Sequence, residues 1–173
     1  MMTFKILITL SILLSFSACK KTQDTEVEIE IEETTSQNLS EKNIAQLKYV
    51  EYALDVKTEK AIEDWAEYFQ LETHINNVKK GDLGFFYDND KNIKTLLRDF
   101  KKDIPEAVNS DATLARISAL ETHLYKLKSL SNLESTSKDE LLLTIKDFLI
   151  SFSNFNFQMN QKIEADGINI AKP

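Results

Sequence analysis

Few residues in this chain could do chemistry. One cysteine, Cys19, and two histidines, His74 and His123, are its only thiol and imidazole groups. The histidines sit in an echo, "LETHI" at 71–75 and "LETHL" at 120–124. A di-iron bundle uses Glu-x-x-His, which sets both ligands on one helix face. Here Glu and His are two apart and splay by about 200° around a helix. The expectation is therefore no metal, with both imidazoles at solvent-facing helix edges. "DNDKN" at 88–92 offers Asp88, Asp90 and Asn92 at positions 1, 3 and 5 of a calcium loop. Position 6 of such a loop needs the sharp turn of glycine and position 12 a bidentate Glu. Ile93 and Asp99 stand there instead, so the stretch reads as an acidic helix start. No Gly-x-Ser-x-Gly elbow and no glycine-rich phosphate loop occurs. Acidic pairs such as Glu63 and Asp64 belong to wet helix faces. No catalytic residue, cofactor or metal site is assigned, and the expectation is a protein that is not an enzyme.

Cys19 asks for a different explanation. It lies in "LLSFSACKK", residues 13–21, after a leader with Lys5 and the apolar run Ile6–Leu14. That run is too short for a bilayer, which takes about 20 apolar residues. A charged start, a short apolar centre and the small Ser17 and Ala18 make a secretory signal. An unpaired cysteine in an exported chain needs a reason. The stretch resembles the lipobox of bacterial lipoproteins, with Phe16 where the common pattern has Leu or another aliphatic. The resemblance implies that the Cys19 sulfur receives a diacylglyceryl group, with acyl chains such as palmitate. Cys19 would then be the mature N-terminus, residues 1–18 being the signal peptide. Two or three chains suffice for anchoring, since each buried methylene contributes about 0.8 kcal/mol. Lys20 rather than Asp after the cysteine implies an outer-membrane lipoprotein of the cell envelope, facing the periplasm or the cell surface.

Charge and composition narrow the partners. The chain has 21 basic and 28 acidic residues, a formal charge of −7. Loss of residues 1–18 removes one lysine, Lys5, and no acid, which leaves −8. Such a chain gains nothing from phosphate backbones, so nucleic acid is excluded as a natural partner. It is also repelled by anionic lipid, so the body should stand off the membrane. Residues 19–39 read as a lipidated N-terminus followed by an acidic tether, with "TEVEIEIEE" at its centre. About 20 flexible residues give an average reach of roughly 25 Å.

From residue 40 to 165 the chain reads as all-α, with a short tail at 166–173. Its three glycines and two prolines cluster at 81–84, 105 and the C-terminus, and such residues mark joints between helices. Leu47, Leu54, Ala61, Tyr68 and Ile75 recur every seven residues. This register predicts one long helix from Ser40 to about Val78, continuous through 55–60, roughly 57 Å long. A second helix is expected over 90–103, with Ile93, Leu96, Leu97 and Phe100 inward. A third starts at Asp111 with Leu114, Ile117, Leu120, Leu124 and Leu127. A fourth opens with a Ser137–Glu140 capping box and runs to about Ile163. Four antiparallel helices around one core would bury these faces.

Two stretches exceed what a bland bundle needs. "GDLGFFYDND" sets Leu83, Phe85, Phe86 and Tyr87 in a connection, where polar residues are usual. These aromatics either plug the bundle end beside Trp65 and Phe69 or form a contact patch. Trp65, Tyr68, Phe85, Phe86 and Tyr87 are thus the candidate ligand or partner contacts. The half of the first helix carrying Tyr49, Val50 and Tyr52 is a further candidate surface, and Phe157 falls off the inner face of the fourth. The expected role is a membrane-anchored, non-enzymatic interaction or structural module with an envelope protein partner. The alternative is a helical binding protein for a small apolar ligand or an unfolded peptide.

Overall fold

The computed structural model describes residues 39–87 and 89–168. Cys19, the tether up to residue 38 and Asp88 lie outside the described residues. So does the tail beyond Ile168. The described chain is all-helical, with six helices, four of them seven residues or longer, and no strand.

Three of the four main helices start where their sequence says, and the last runs four residues past the expected end at Ile163. α4 spans Asp90–Lys102, α5 Asp111–Ser131 and α6 Lys138–Gly167. Their elements are numbered after three preceding helices described below. Ile93, Leu96, Leu97 and Phe100 of α4 are all buried, which is the expected inner face. α4 ends before Ile104-Pro105, because a residue preceding proline resists the α region. Ser110 caps α5 by accepting from Thr113 N–H at 3.1 Å. Ser137 caps α6 by accepting from Glu140 N–H at 3.2 Å, the half of the expected box that satisfies the helix. α5 and α6 are joined by residues 132–137 and form the most extensive helix pair, so they make an antiparallel hairpin. One α5 residue departs from expectation. Leu114 is exposed and Thr113 is buried, its hydroxyl bonded to Ser110 Oγ at 2.8 Å. The N-cap bond turns Thr113 inward and puts its neighbour outside.

The long first helix does not form. Residues 40–78 are divided into α1 (Glu41–Ala45), α2 (Val56–Ala61) and α3 (Ala66–Lys79), separated by non-helical residues 47–55 and a turn at 62–65. The heptad register is real but incomplete as an argument. Tyr68 and Ile75 are buried in α3, whereas Leu47, Leu54 and Ala61 are only half-buried and sit on other elements. Each piece carries its own start signal. Ser40 and Asn43 make a reciprocal capping box on α1. Asp55 caps α2 by accepting from Thr58 N–H at 2.8 Å, which holds its carboxyl below the ordinary range. The polar "DVKTEK" stretch is therefore a helix start rather than the middle of one.

The core is aromatic at its centre. Trp65 packs on Phe100 with ring centroids 4.4 Å apart and planes tilted by 30°, and lies edge-on to Phe155 at 6.1 Å. Tyr68 lies against Phe152 at 5.8 Å. Phe148, Phe155 and Met159 of α6 are fully buried with them. Gly81 closes α3 with φ of +85°, and a Cβ there would lie 3.0 Å from the Leu39 carbonyl oxygen. Glycine is thus required both for the left-handed turn and for the close passage of the incoming chain. No helix among the described residues is long and apolar enough to cross a membrane.

Candidate functional site

The five aromatic candidates do not form one site. Trp65 (1% exposed), Tyr68 (0%) and Phe86 (1%) are core residues. Phe86 meets Phe148 edge-on at 5.9 Å and its neighbour Phe85 edge-on at 5.4 Å. Phe85 is half-buried and lies flat on the His74 ring, centroids 3.5 Å apart and planes 14° from parallel. Only Tyr87, 39% exposed, faces water to a substantial degree. Alternation in the turn at Gly84–Phe86 explains the split: Leu83 and Phe86 are three apart and point inward together.

The histidines are not at free edges. Both His74 ring nitrogens are buried without a hydrogen-bond partner, as is His123 Nδ1. Burial holds the His74 imidazole below its ordinary range, with Asp82 opposing. Among the described residues no group of three His, Cys, Asp or Glu side chains is placed to hold a metal.

The distinctive arrangement lies where the long helix failed. Three polar residues of α6, Ser153, Asn156 and Asn160, are spaced by three and four and share a face. Ser153 Oγ accepts from Tyr52 N–H at 2.8 Å and donates to the Val50 carbonyl at 2.9 Å. Asn156 Nδ2 donates to the Tyr52 carbonyl at 3.2 Å. Asn160 Nδ2 donates to the Ala53 carbonyl at 2.9 Å, and its Oδ1 accepts from Asp55 N–H at 3.1 Å. A helix face thereby supplies the bonds that an adjacent strand would supply. Ser153 brackets residue 51 and Asn160 brackets residue 54. Seven residues of helix between them span about 10.5 Å. Matching that distance over three residues needs about 3.5 Å each, which calls for an extended rather than a helical path.

The clasp is tied to the core from beneath. Tyr68 O–H donates to Asn156 Oδ1 at 3.1 Å, so one buried amide serves both the core tyrosine and the docked backbone. Burial, with Glu72 nearby, pushes the Tyr68 hydroxyl far up, so it remains a proton donor. Ser153 and Asn156 are themselves buried. Their polar atoms are satisfied by the extended segment and, for Asn156 Oδ1, by Tyr68, as buried polar groups must be.

Two surfaces result. On one, Tyr52 meets Phe157 with centroids 4.6 Å apart and planes tilted by 36°, and Val50, two residues before, is 65% exposed. On the other, the segment borders a cleft of about 340 Å³ lined by Glu51, Ala53, Glu59, Glu72 and Lys79, with Tyr68 at its base. Lys79 is paired with Glu51. Burial raises the Glu72 carboxyl above its ordinary range; Lys79 opposes this and Glu59 adds to it. At the near end, burial and Glu51 push the Tyr49 hydroxyl up to about 12. Sequence reasoning missed the clasp. Its signal was present as Ser153, Asn156 and Asn160 on a helix whose neighbouring face is aromatic, but polar residues at helical spacing usually face water.

Comparison with protein-family models, with curated proteins and with solved structures gave no match.

Proposed function

We propose that this chain is a membrane-anchored envelope lipoprotein whose helical body acts as a non-enzymatic interaction module. In this reading the Cys19 sulfur carries the lipid, residues 20–39 are the tether, and α3 to α6 form an antiparallel four-helix body held off an outer membrane. The observation that carries the interaction role is the docked segment 47–55. A chain that could continue as helix is instead laid extended across α6, with Val50, Tyr52 and Phe157 outward. Contiguous apolar groups at a surface, rather than single scattered ones, mark contact sites, and Tyr52 and Phe157 lie ring against ring there. The aromatic interior favours this over a carrier for a small apolar ligand, because Trp65, Tyr68 and Phe86 are each packed on other rings.

Two measurements test the two halves. Cells expressing the chain are fed an alkyne-tagged fatty acid; the wild type should label and sediment with membranes, and Cys19→Ser should do neither. A soluble, unlabelled wild type ends the lipoprotein reading. Photo-crosslinking residues are then placed at Tyr52, Phe157 and Tyr87 in intact cells. A discrete macromolecular adduct from Tyr52 or Phe157 is expected. Adducts with lipid or solvent alone at all three positions end the interaction reading.

A further inference from the structure

A groove of about 200 Å³ lies between α5 and α6. Arg116, Ala119 and His123 line it from α5, and Asp147, Ile150 and Asn154 from α6. Each set is spaced by three and four residues, so each occupies one face of its helix. The two helices run antiparallel, which puts Arg116 toward the Asn154 end and His123 toward the Asp147 end. Lys126, three residues past His123, meets Asp147 at 3.9 Å and marks that end. Seven residues of α5 separate the ends by about 10.5 Å. Between them Ala119 leaves room and Ile150 supplies an apolar wall.

The polar groups at both ends have bonding capacity to spare. Of the two arginines in the chain, Arg98 is held by Asp99 through bonds of 2.8 and 3.0 Å. Arg116 forms no ion pair and no side-chain hydrogen bond with any described residue, and the Asn154 amide forms none either. His123 Nδ1 is buried without a partner, which leaves Nε2 as the ring nitrogen open to a guest. Asp147 has Lys126 alone among the described residues, at a long distance and with the lysine half in water, which makes a weak pair. A guanidinium and a carboxylate thus line one groove without being joined to each other.

We propose that this groove binds a small zwitterion of the ω-amino acid class, in which several methylenes separate a carboxylate from an ammonium. The carboxylate lies on the Arg116 guanidinium, whose planar fork suits two oxygens, with the Asn154 amide beside it. The ammonium lies at Asp147 and His123, in exchange for the loosely held Lys126. The methylenes cross Ala119 and Ile150. Arg116 and Asp147 themselves take up part of the about 10.5 Å, which leaves space for a guest of roughly four to six carbons. An α-amino acid, with its charges one carbon apart, is too short to reach both ends. A dianion is disfavoured by Asp147 and a dication by Arg116. A free ω-amino acid and the C-terminal lysine of a peptide present the same chemistry. Neither the lipid nor the Tyr52–Phe157 surface takes part, so this site and the interaction reading stand or fall separately.

The test titrates the full chain by calorimetry with ε-aminohexanoate, hexanoate, hexylamine and alanine. The zwitterion should bind. Hexanoate and hexylamine should each bind about two- to fivefold more weakly, the scale of one partly exposed ion pair, and alanine should give no heat of binding. Arg116→Gln should abolish the advantage of the zwitterion over hexylamine, and Asp147→Asn its advantage over hexanoate. Arg116 is exposed and Asp147 half-buried, so both variants should keep the circular dichroism of the wild type. Ala119→Leu fills the groove without touching a charge and should abolish binding of every guest. If that variant misfolds, the two charge variants still decide. A tripeptide ending in lysine and its C-terminal amide identify the source. Tight binding of the free acid form alone of that peptide supports a protein C-terminus as guest; binding of ε-aminohexanoate without either peptide supports a free small molecule. Absence of zwitterion binding overturns the proposal, as does equal binding of hexanoate, hexylamine or alanine. Zwitterion binding unchanged by both Arg116→Gln and Asp147→Asn places the guest elsewhere and overturns the site.

Discussion

The α5–α6 hairpin and the 47–55 segment are built on the same kind of apolar repeat, yet one is helix and the other is not. In α5 the repeat Ile117, Leu120, Leu124 and Leu127 is buried throughout, and every backbone group inside the helix finds its partner four residues away. In 47–55 the repeat members Leu47 and Leu54 reach the core only partly, and the backbone finds its partners about 100 residues away on α6. A periodic pattern states which side chains can be buried together. It does not state which acceptor each N–H will use, and that second question is open wherever another element offers a complete set.

The comparison can be broken at several points. Phe155→Ala should have the largest effect, about 3–5 kcal/mol of unfolding free energy by denaturant titration, because the ring is fully buried among Trp65, Tyr68 and Phe100. A loss under 1 kcal/mol would mean the described interior is not the working core. Asn156→Ala should cost about 2–3 kcal/mol, since it strands the buried Tyr68 hydroxyl and the Tyr52 carbonyl at once. Its distinguishing readout is hydrogen exchange. The amides of Tyr52 and Asp55 should become fast while those of α5 stay protected. Uniform loosening of both regions would show that the clasp is not a separate unit.

Gly81→Ala should cost about 1–2 kcal/mol from the φ of +85° and the crowding at Leu39. Its effect belongs to the turn that seats the N-terminal segment, so α1 should fray before α6 does. A pH series addresses His74. Its folded pKa is lowered by burial, so the folded state binds fewer protons than the unfolded chain. Stability is then complete above the unfolded value near 6.5 and falls as pH drops through it toward the folded value. Between pH 7.5 and 5.5 the wild type should lose more Tm than His74→Gln; equal losses would show that the buried imidazole contributes nothing. Leu143→Thr should have the smallest effect, within about 0.5 kcal/mol, because Leu143 is exposed on the outer side of the hairpin. A clear change in self-association with that variant would add a second contact face.

Much of the fold was legible. The ends of α4 and α5 follow from Pro105, Ser110 and the apolar spacing, and the inward residues of α6 from Leu141 to Met159 follow from its pattern. α6 itself continues past Ile163 to Gly167, with no breaker before that glycine to stop it. The candidate site was hardly legible. The aromatic cluster at 83–87 announced large side chains in a connection but not their division, with Leu83 and Phe86 inward, Phe85 on His74 and Tyr87 outward. The clasp was invisible because serine and asparagine at helical spacing read as a solvated face until something is found docked on them.

By itself the sequence determined the all-helical character, the joints at glycine and proline, and the faces that must leave water, since these depend on local sterics and on apolar periodicity. Tertiary structure alone decided that residues 47–55 abandon the helix their spacing allows. The reason is that Ser153, Asn156 and Asn160 present, in one row, the donors and acceptors that an extended backbone needs, and only folding brings the two segments together.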